Sequence, residues 1–216
     1  MFYEQDTILR LIAQLGAAFR RVMTLLEDGE AERELDEYCR TLCGLERNVA
    51  DHMDVDSLCE LLPPDRLFAL SELTHLRAQR FQHALDTDVL AAIELRALRL
   101  LARVDDEEIA QRQIDRMQEL RALAEETLTC ADQEDIVRFF IRGCAYDRAE
   151  DALFHAIDSY PLAEQRQSLL ALGRSMYDRL AQLPAQRLVL GGLPPDEVRE
   201  GQRAIERIIS KKDWNA

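Results

Sequence analysis

The sequence predicts an all-α fold built as an irregular array of antiparallel helix hairpins. Apolar residues recur at three- and four-residue spacing through most of the chain, which is typical of amphipathic helices. No segment shows the strict alternation of apolar and polar residues that predicts a β-strand. The chain has 47% hydrophobic and 31% charged residues but only eight glycines and six prolines, a composition typical of an ordered, helix-rich protein.

The N-terminal segment predicts a helical hairpin. A first helix is expected from Asp6 to Leu26 with Gly29 as its stop signal, and a second over residues 31–45 after a short acidic turn. The first helix carries an apolar stripe at 4-3-4-3-4 spacing, formed by Ile8, Ile12, Leu15, Phe19, Val22 and Leu26. Such a heptad-like seam can pair helices. The seam predicts a homodimer or partner interface made by Ile8, Ile12, Leu15 and Phe19.

The middle of the chain predicts a loop and then several further helices. Residues 48–56 are rich in aspartate and are expected to form the loop, which a short helix through Leu58 follows. The tetrapeptide LPPD occurs at 62–65 and again at 193–196. Each copy is expected to open a helix, because proline is tolerated in the first turn and aspartate favours the positive end of the helix dipole. The remaining helices of this part are expected at 66–84, 88–104 and 107–127.

The last third predicts four helices. They are expected at 132–143, at 146–159, from Pro161 to Leu183, and from Pro195 to Ser210, with the segment QRLVLGG as a loop before the last one. We expect one helical domain over residues 1–216, with subdivisions at 1–47, 48–127 and 128–216.

Part of this C-terminal third resembles a tetratricopeptide repeat. That repeat places small residues where its second helix crosses its first, a bulky residue between them, and a closing proline. Ala149, Leu153, Ala156 and Pro161 stand at the spacing of the repeat, and Ile136 and Phe140 stand where its first helix has leucine and tyrosine. Gln133 and Val137 depart from it, since they replace a tryptophan and a small glycine. The resemblance implies a tetratricopeptide-like helix pair formed by Ile136, Phe140, Ala149, Leu153, Ala156 and Pro161.

A second resemblance involves both ends of the chain. The opening FYEQDTILRLIAQLGAAFRRVM, and AEDALFHAID with LPPDEVREGQRAI near the other end, resemble the two halves of an uncharacterised family of small helical bacterial proteins, a domain of unknown function. The resemblance implies a bacterial, cytoplasmic, all-α protein and transfers no catalytic residue.

Charge and hydropathy exclude several classes of partner. The net charge of −14 argues against nucleic-acid binding, which needs clustered positive charge. No apolar run approaches the roughly 20 residues that span a bilayer, and the N-terminal segment lacks the basic start and apolar core of a signal peptide. Five cysteines without a recognisable framework predict reduced thiols and a cytoplasmic location.

Three residue patterns are candidates for metal sites, and each has a simpler structural explanation. Glu72 and His75 form an E-x-x-H pair, but a di-iron bundle needs two such pairs and two further glutamates. The second pattern is a set of thiols and an imidazole that zinc could use, formed by Cys39, Cys43, His52 and Cys59. The third is an alternating acidic loop that resembles part of a calcium-binding loop, formed by Asp51, Asp54 and Asp56. We therefore expect no catalytic residue, no metal and no cofactor.

These observations favour a protein–protein interaction or adaptor module that binds a protein partner through a helical-repeat groove and also self-associates. The alternative is a small-ligand-binding or enzymatic protein with a pocket between helices. Its motivation is the polar set on one predicted helix: His75, Arg77, Arg80 and His83. A purely structural subunit of a larger assembly is the third hypothesis.

Overall fold

The computed structural model describes residues 2–160 and 163–212, and the side chains of 7–160 and 164–210. Over these residues the chain forms thirteen α-helices, one π-helical turn and one 3₁₀ turn, and no strand. The predicted all-α class is confirmed. The helices form two compact units: described residues up to Ile109 with Asp115–Thr127, and Ala110–Ile114 with the described residues from Leu128 onward.

The first unit contains the helices up to the 3₁₀ turn at Glu125–Thr127. They are α1 (Phe2–Thr24), α2 (Asp28–Tyr38), α3 (Arg47–His52), α4 (Val55–Leu61), α5 (Pro64–Phe81), α6 (Thr87–Ala102), part of α7 (Glu107–Arg112) and α8 (Ile114–Ala124). Helix α5 lies at the centre, because it contacts α1, α2, α4 and α6. Its sequence fits this position, since its apolar residues are too many for one stripe and are buried nearly all the way round.

The second unit contains α9 (Cys130–Arg142), α10 (Tyr146–Ser159), α11 (Ala163–Leu180), α12 (Ala185–Leu190) and α13 (Pro195–Lys212). Helix α9 begins with a capping box in which Thr129 and Asp132 each accept from the other's backbone N–H. Helix α11 contacts α9, α10 and α13. The unit is therefore a small bundle built around α9, α10, α11 and α13.

Several predicted boundaries are corrected. Helix α1 begins at Phe2 rather than Asp6, since neither glycine nor proline interrupts the first residues, and it ends at Thr24. The expected loop at 48–56 contains most of α3 and the start of α4, because only Met53 and Asp54 break the helical path and Asp54 caps α4 at the Ser57 N–H, 2.8 Å away.

Three other boundaries also differ from the prediction. The expected helix at 107–127 divides at Gln113. The expected loop QRLVLGG includes most of α12, which the buried Leu188 anchors. The predicted helix at 31–45 ends at Tyr38 and continues as the π turn Cys39–Cys43, which Gly44 closes in the left-handed conformation (φ 74°). Both LPPD segments open helices, as predicted, at Pro64 and Pro195.

Candidate interaction surface

The described part of α1 is apolar on two adjacent faces. One face is buried against its own unit, where α1 contacts α2 and α5; its residues are Ile8, Leu11, Leu15, Ala18 and Val22. The other face carries a second row at 3-4-3-4 spacing, which we call the exposed stripe: Leu9, Ile12, Gly16, Phe19 and Met23, with Leu26 just past the end of the helix. A helix of this kind can cover its own core with one face and bind another helix with the next.

The exposed stripe leaves large apolar side chains in contact with solvent. Leu9 is 48% exposed, Phe19 41%, Met23 40% and Leu26 96%, whereas Ile12 and Gly16 are half-buried. Singly exposed apolar residues are normal on a protein surface, but a continuous row is typical of an interaction site. From Leu9 to Met23 the stripe runs for about 21 Å at 1.5 Å per residue.

The four residues predicted to form the interface lie on different faces of α1. Ile8 and Leu15 are buried within the first unit, Ile12 is half-buried, and Phe19 is partly exposed. The predicted seam follows the boundary between the two apolar faces, so it takes alternate members from each. Leu9, Gly16 and Met23 are the residues that the sequence reasoning missed. Their signal was present as a second 3-4 row displaced by one residue, with a glycine in its middle.

Gly16 lies in the middle of the exposed stripe without a packing requirement in its own chain. An added Cβ at this position would meet only the end of the Arg20 side chain, at 3.7 Å. Glycine inside a helix costs about 1 kcal/mol relative to alanine. The described contacts of Gly16 within the chain therefore do not offset this cost of glycine. The close approach of a helix from another molecule would offset it.

The two ends of the exposed stripe differ in charge. Beyond Met23 the chain makes an exposed acidic turn with Glu27, Asp28 and Glu30. Arg80 reaches this turn from α5, where it donates to the Leu25 carbonyl at 3.2 Å and pairs with Asp28 at 2.8 Å. The other end carries the exposed Arg10, and the sequence also has Glu4 and Asp6 there. The stripe is therefore acidic at its C-terminal end and carries charges of both signs near its N-terminal end.

A part-buried ionic cluster joins α5, α6 and α8 in the first unit. The ring of His75 is buried, and its Nδ1 lies 2.7 Å from Glu94 Oε2 while its Nε2 lies 3.0 Å from Arg116 Nη1. Because a guanidinium only donates hydrogen bonds, His75 accepts at Nε2 and donates from Nδ1–H to Glu94. Arg116 also donates to Glu72 from Nε at 3.1 Å and pairs with Glu119. Burial raises the pKa of Glu72, and the Arg116 guanidinium opposes that shift.

The arrangement of this cluster fits a structural role. The guanidinium of Arg116 already occupies the place between Glu72, Glu119 and His75 that a cation would take. Among the described residues, no group of three or more histidine, cysteine or acidic side chains is arranged to hold a metal ion. The cluster therefore stabilises the junction of three helices with paired charges.

The four polar residues behind the small-ligand hypothesis do not converge. His75 points into the ionic cluster, whereas Arg77 donates to Asp51 at 3.2 Å and Arg80 reaches the acidic turn. His83 is exposed and lies beyond the end of α5. These side chains leave α5 in different directions, so they do not line one common pocket.

The residues of the predicted tetratricopeptide-like pair are buried in the second unit. Helices α9 and α10 pack closely against each other. The residues that share complete burial are Ile136, Phe140, Ala149, Leu153 and Ala156; Pro161 lies outside the described residues. Leu153 also reaches α11, where an added Cβ at Gly173 would come within 2.8 Å of its Cδ2 atom.

Comparison with known proteins identifies a family but no characterised relative. The model of a protein family described as "Family of unknown function (DUF6483)" matches residues 2–210. No curated protein and no solved structure matches the chain. The resemblance to an uncharacterised family is confirmed. Separately, none of the described helices combines the length and hydropathy that crossing a bilayer requires.

Proposed function

Since the chain belongs to the family of unknown function DUF6483, we propose that it is a protein–protein interaction module that self-associates through the exposed stripe of α1. The observation that carries the proposal is the row of exposed apolar side chains beside an already buried face. Helix-to-helix docking along such a row is a common recognition mode, with anchors at three- and four-residue spacing. The ionic cluster supports no competing catalytic role, because its groups are paired with each other.

Phe19→Asp is expected to dissociate the self-associated form. In a two-fold interface the substitution occurs twice, and each copy loses the burial of a large side chain and places a charge in the interface, about 1.5–3 kcal/mol each. The dissociation constant should rise by at least about 100-fold. Sedimentation equilibrium from low to high micromolar concentration measures the change.

Gln14→Asp is the matched control for this substitution. Gln14 is exposed on α1 but lies off the exposed stripe, so the same charge is added to the same helix without entering the interface. Both variants should keep the helical circular dichroism of the parent chain. A parent chain that sediments as a monomer at high micromolar concentration would refute self-association, and equal effects of the two variants would refute the assigned surface.

We further propose that α9 and α10 form a tetratricopeptide-like pair and that the second unit supplies the groove for a protein partner. The support is the complete burial of Ala149 and Ala156 on α10, the helix that packs against α9. Small residues let two helices approach closely, and stacked helix pairs of this type expose a concave surface suited to a peptide. A cytoplasmic location belongs to the same proposal, and the buried thiols of Cys39, Cys43 and Cys130 support it.

Ala149→Leu is expected to lower the free energy of unfolding by about 1–3 kcal/mol, because added methyl groups force the α9–α10 pair apart. Urea denaturation followed by circular dichroism measures the loss. Ala171→Leu is the control, since Ala171 is exposed on α11 and a leucine there meets solvent. An Ala149→Leu variant as stable as the parent chain would show that α10 does not cross its neighbours at this residue.

A further inference from the structure

We propose that the exposed stripe binds a second copy of itself antiparallel, with the two-fold axis between Ala17 and Ala18, so that Phe19 packs onto Gly16 of the partner subunit. This inference rests on the proposed self-association and adds its geometry.

The spacing of the stripe is symmetric. Counted from Leu9 to Leu26, its intervals are three, four, three, four and three residues, so the row reads the same in both directions about the point between Ala17 and Ala18. An antiparallel copy centred there pairs every member of the row with another member. The pairs are Leu9 with the partner's Leu26, Ile12 with the partner's Met23, and Gly16 with the partner's Phe19, each occurring twice.

The sizes of the paired residues favour the antiparallel arrangement. It places the largest side chain of the stripe, Phe19, over the smallest residue, the partner's Gly16, on both sides of the axis. A parallel arrangement in register would place Phe19 against the partner's Phe19 and Gly16 against the partner's Gly16. Interfaces, like interiors, favour interdigitation of large and small residues. The antiparallel pairing also supplies the close external approach that Gly16 lacks within its own chain.

The charges at the ends of the stripe favour the same arrangement. A parallel pair would bring together two acidic turns, each with Glu27, Asp28 and Glu30. Repulsion between like charges at short range opposes such a contact. An antiparallel pair instead places the two turns at opposite ends of the contact. The antiparallel pairing therefore avoids this repulsion.

The exposed area fits a reversible dimer. With roughly 150–200 Å² for a fully exposed large side chain, the exposed fractions of Leu9, Phe19, Met23 and Leu26 leave roughly 350–450 Å² of apolar surface per subunit. With a polar rim, two such surfaces approach the lower end of standard interfaces, about 1,200 Å² in total. We expect a dissociation constant in the micromolar range.

Cysteine crosslinking tests the geometry on the full chain. Ile12→Cys and Met23→Cys are prepared separately, one with an affinity tag that separates the products by mass, then mixed and oxidised with copper phenanthroline. In the antiparallel dimer the thiol introduced at position 12 faces the thiol introduced at position 23 of the other subunit, so the mixed product should form at least about 10-fold faster than either self-product. The two Met23 positions then lie eleven residues apart along the axis, about 16 Å, which a disulfide cannot span. The parent chain, oxidised alongside, accounts for the native thiols.

Gly16→Leu supplies an independent measurement that does not depend on thiols. An added Cβ at this position makes only an ordinary contact, 3.7 Å from Nη1 of the flexible Arg20 side chain, so the dilute monomer should melt no lower than the parent chain. The leucine fills the place of the partner's Phe19, so the dissociation constant should rise at least about 10-fold.

The outcomes separate the two proposals. Faster crosslinking of Met23→Cys with itself would show a parallel dimer and so overturn the antiparallel geometry. A dimer that dissociates with Phe19→Asp but stays intact with Gly16→Leu would also overturn the antiparallel geometry. A parent chain that stays monomeric overturns the self-association and the geometry together. A monomer that binds an amphipathic helix of another protein on the stripe would also overturn both proposals, and it would assign this surface to a different partner.

Discussion

Gly201→Ala is expected to lower the free energy of unfolding by about 2–4 kcal/mol, although it adds only a methyl group. Gly201 lies inside α13, and an added Cβ would overlap the phenol ring of Tyr177 on α11, within 2.5 Å of its Cε1 atom. Tyr177 is completely buried and donates a hydrogen bond to Glu150 on α10. The ring cannot move without losing that bond, so the variant combines overpacking with a lost buried hydrogen bond. Urea denaturation of the parent and variant chains measures the difference.

Gly29→Ala is the matched control for this substitution. Gly29 stands in the first turn of α2, and an added Cβ meets nothing within 4 Å. Alanine there should be neutral or stabilising by up to about 1 kcal/mol, because it restricts the unfolded chain. Adding Tyr177→Leu to Gly201→Ala should make the combined loss smaller than the sum of the single losses. Additive losses would show that Gly201 and Tyr177 are not in contact.

The helical class follows from local sequence, whereas the close contacts do not. A 3-4 period persists over many residues, so α5, α6, α9 and α10 were predictable within a few residues. The helices α3 and α12 have only six residues each, too few for a period to stand out. Gly173 and Gly201 stand inside predicted helices where glycine is unfavourable, and that is the sequence signal for a close approach. The sequence does not name the approaching residue, because Leu153 and Tyr177 lie 20 and 24 residues away along the chain.

The faces of α1 show how far periodicity can resolve a surface. A helix with apolar residues on two adjacent faces gives one wide apolar arc, and a seam drawn through its middle takes members of both faces. The structure separates them because α2 and α5 cover one face only. Which face is covered depends on tertiary packing, so it is absent from the local pattern.

The ionic cluster was only half visible in the sequence. Glu72 and His75 share a helix at a spacing that places them on one side. Their partners Glu94 and Arg116 come from α6 and α8, 19 and 41 residues from His75. Arg77 and Arg80, which the sequence grouped with His75 on the same helix, are therefore not its partners. Each of them extends from α5 toward a different helix.

Arg116→Leu is the second substitution with a large expected effect, a loss of about 2–4 kcal/mol at neutral pH. Arg116 is the one cation that contacts Glu72, Glu119 and His75 in the described cluster. Leucine keeps the side chain's apolar volume but leaves the largely buried Glu72 carboxylate without its partner. Removing one member of a buried pair costs more than the pair itself contributes, because the remaining charge stays desolvated.

The loss should depend on pH with a definite sign. Burial holds the pKa of Glu72 above its ordinary value, and the Arg116 guanidinium opposes that shift while Glu119 adds to it. A carboxyl group with a raised folded-state pKa contributes most to stability below its unfolded pKa, and that contribution is lost as pH rises through the raised value. Without Arg116 the pKa of Glu72 rises further, so the loss in the variant should be small in acid and grow toward neutral pH.

Arg174→Leu is the matched control, because Arg174 makes a similar two-bond contact with Glu206 between two helices, at 2.8 Å for both bonds, but on the surface. Its removal should have a much smaller effect, because solvent screens exposed pairs. Glu72→Gln in the Arg116→Leu background removes the isolated charge and should recover part of the stability while flattening its pH dependence. Urea denaturation at several pH values distinguishes the outcomes. A loss of stability that is the same at acidic and neutral pH, or equal to that of Arg174→Leu, would contradict this prediction. It would show that the charge of Glu72 does not depend on Arg116 and that the ion pairs of the cluster contribute no more than exposed ones.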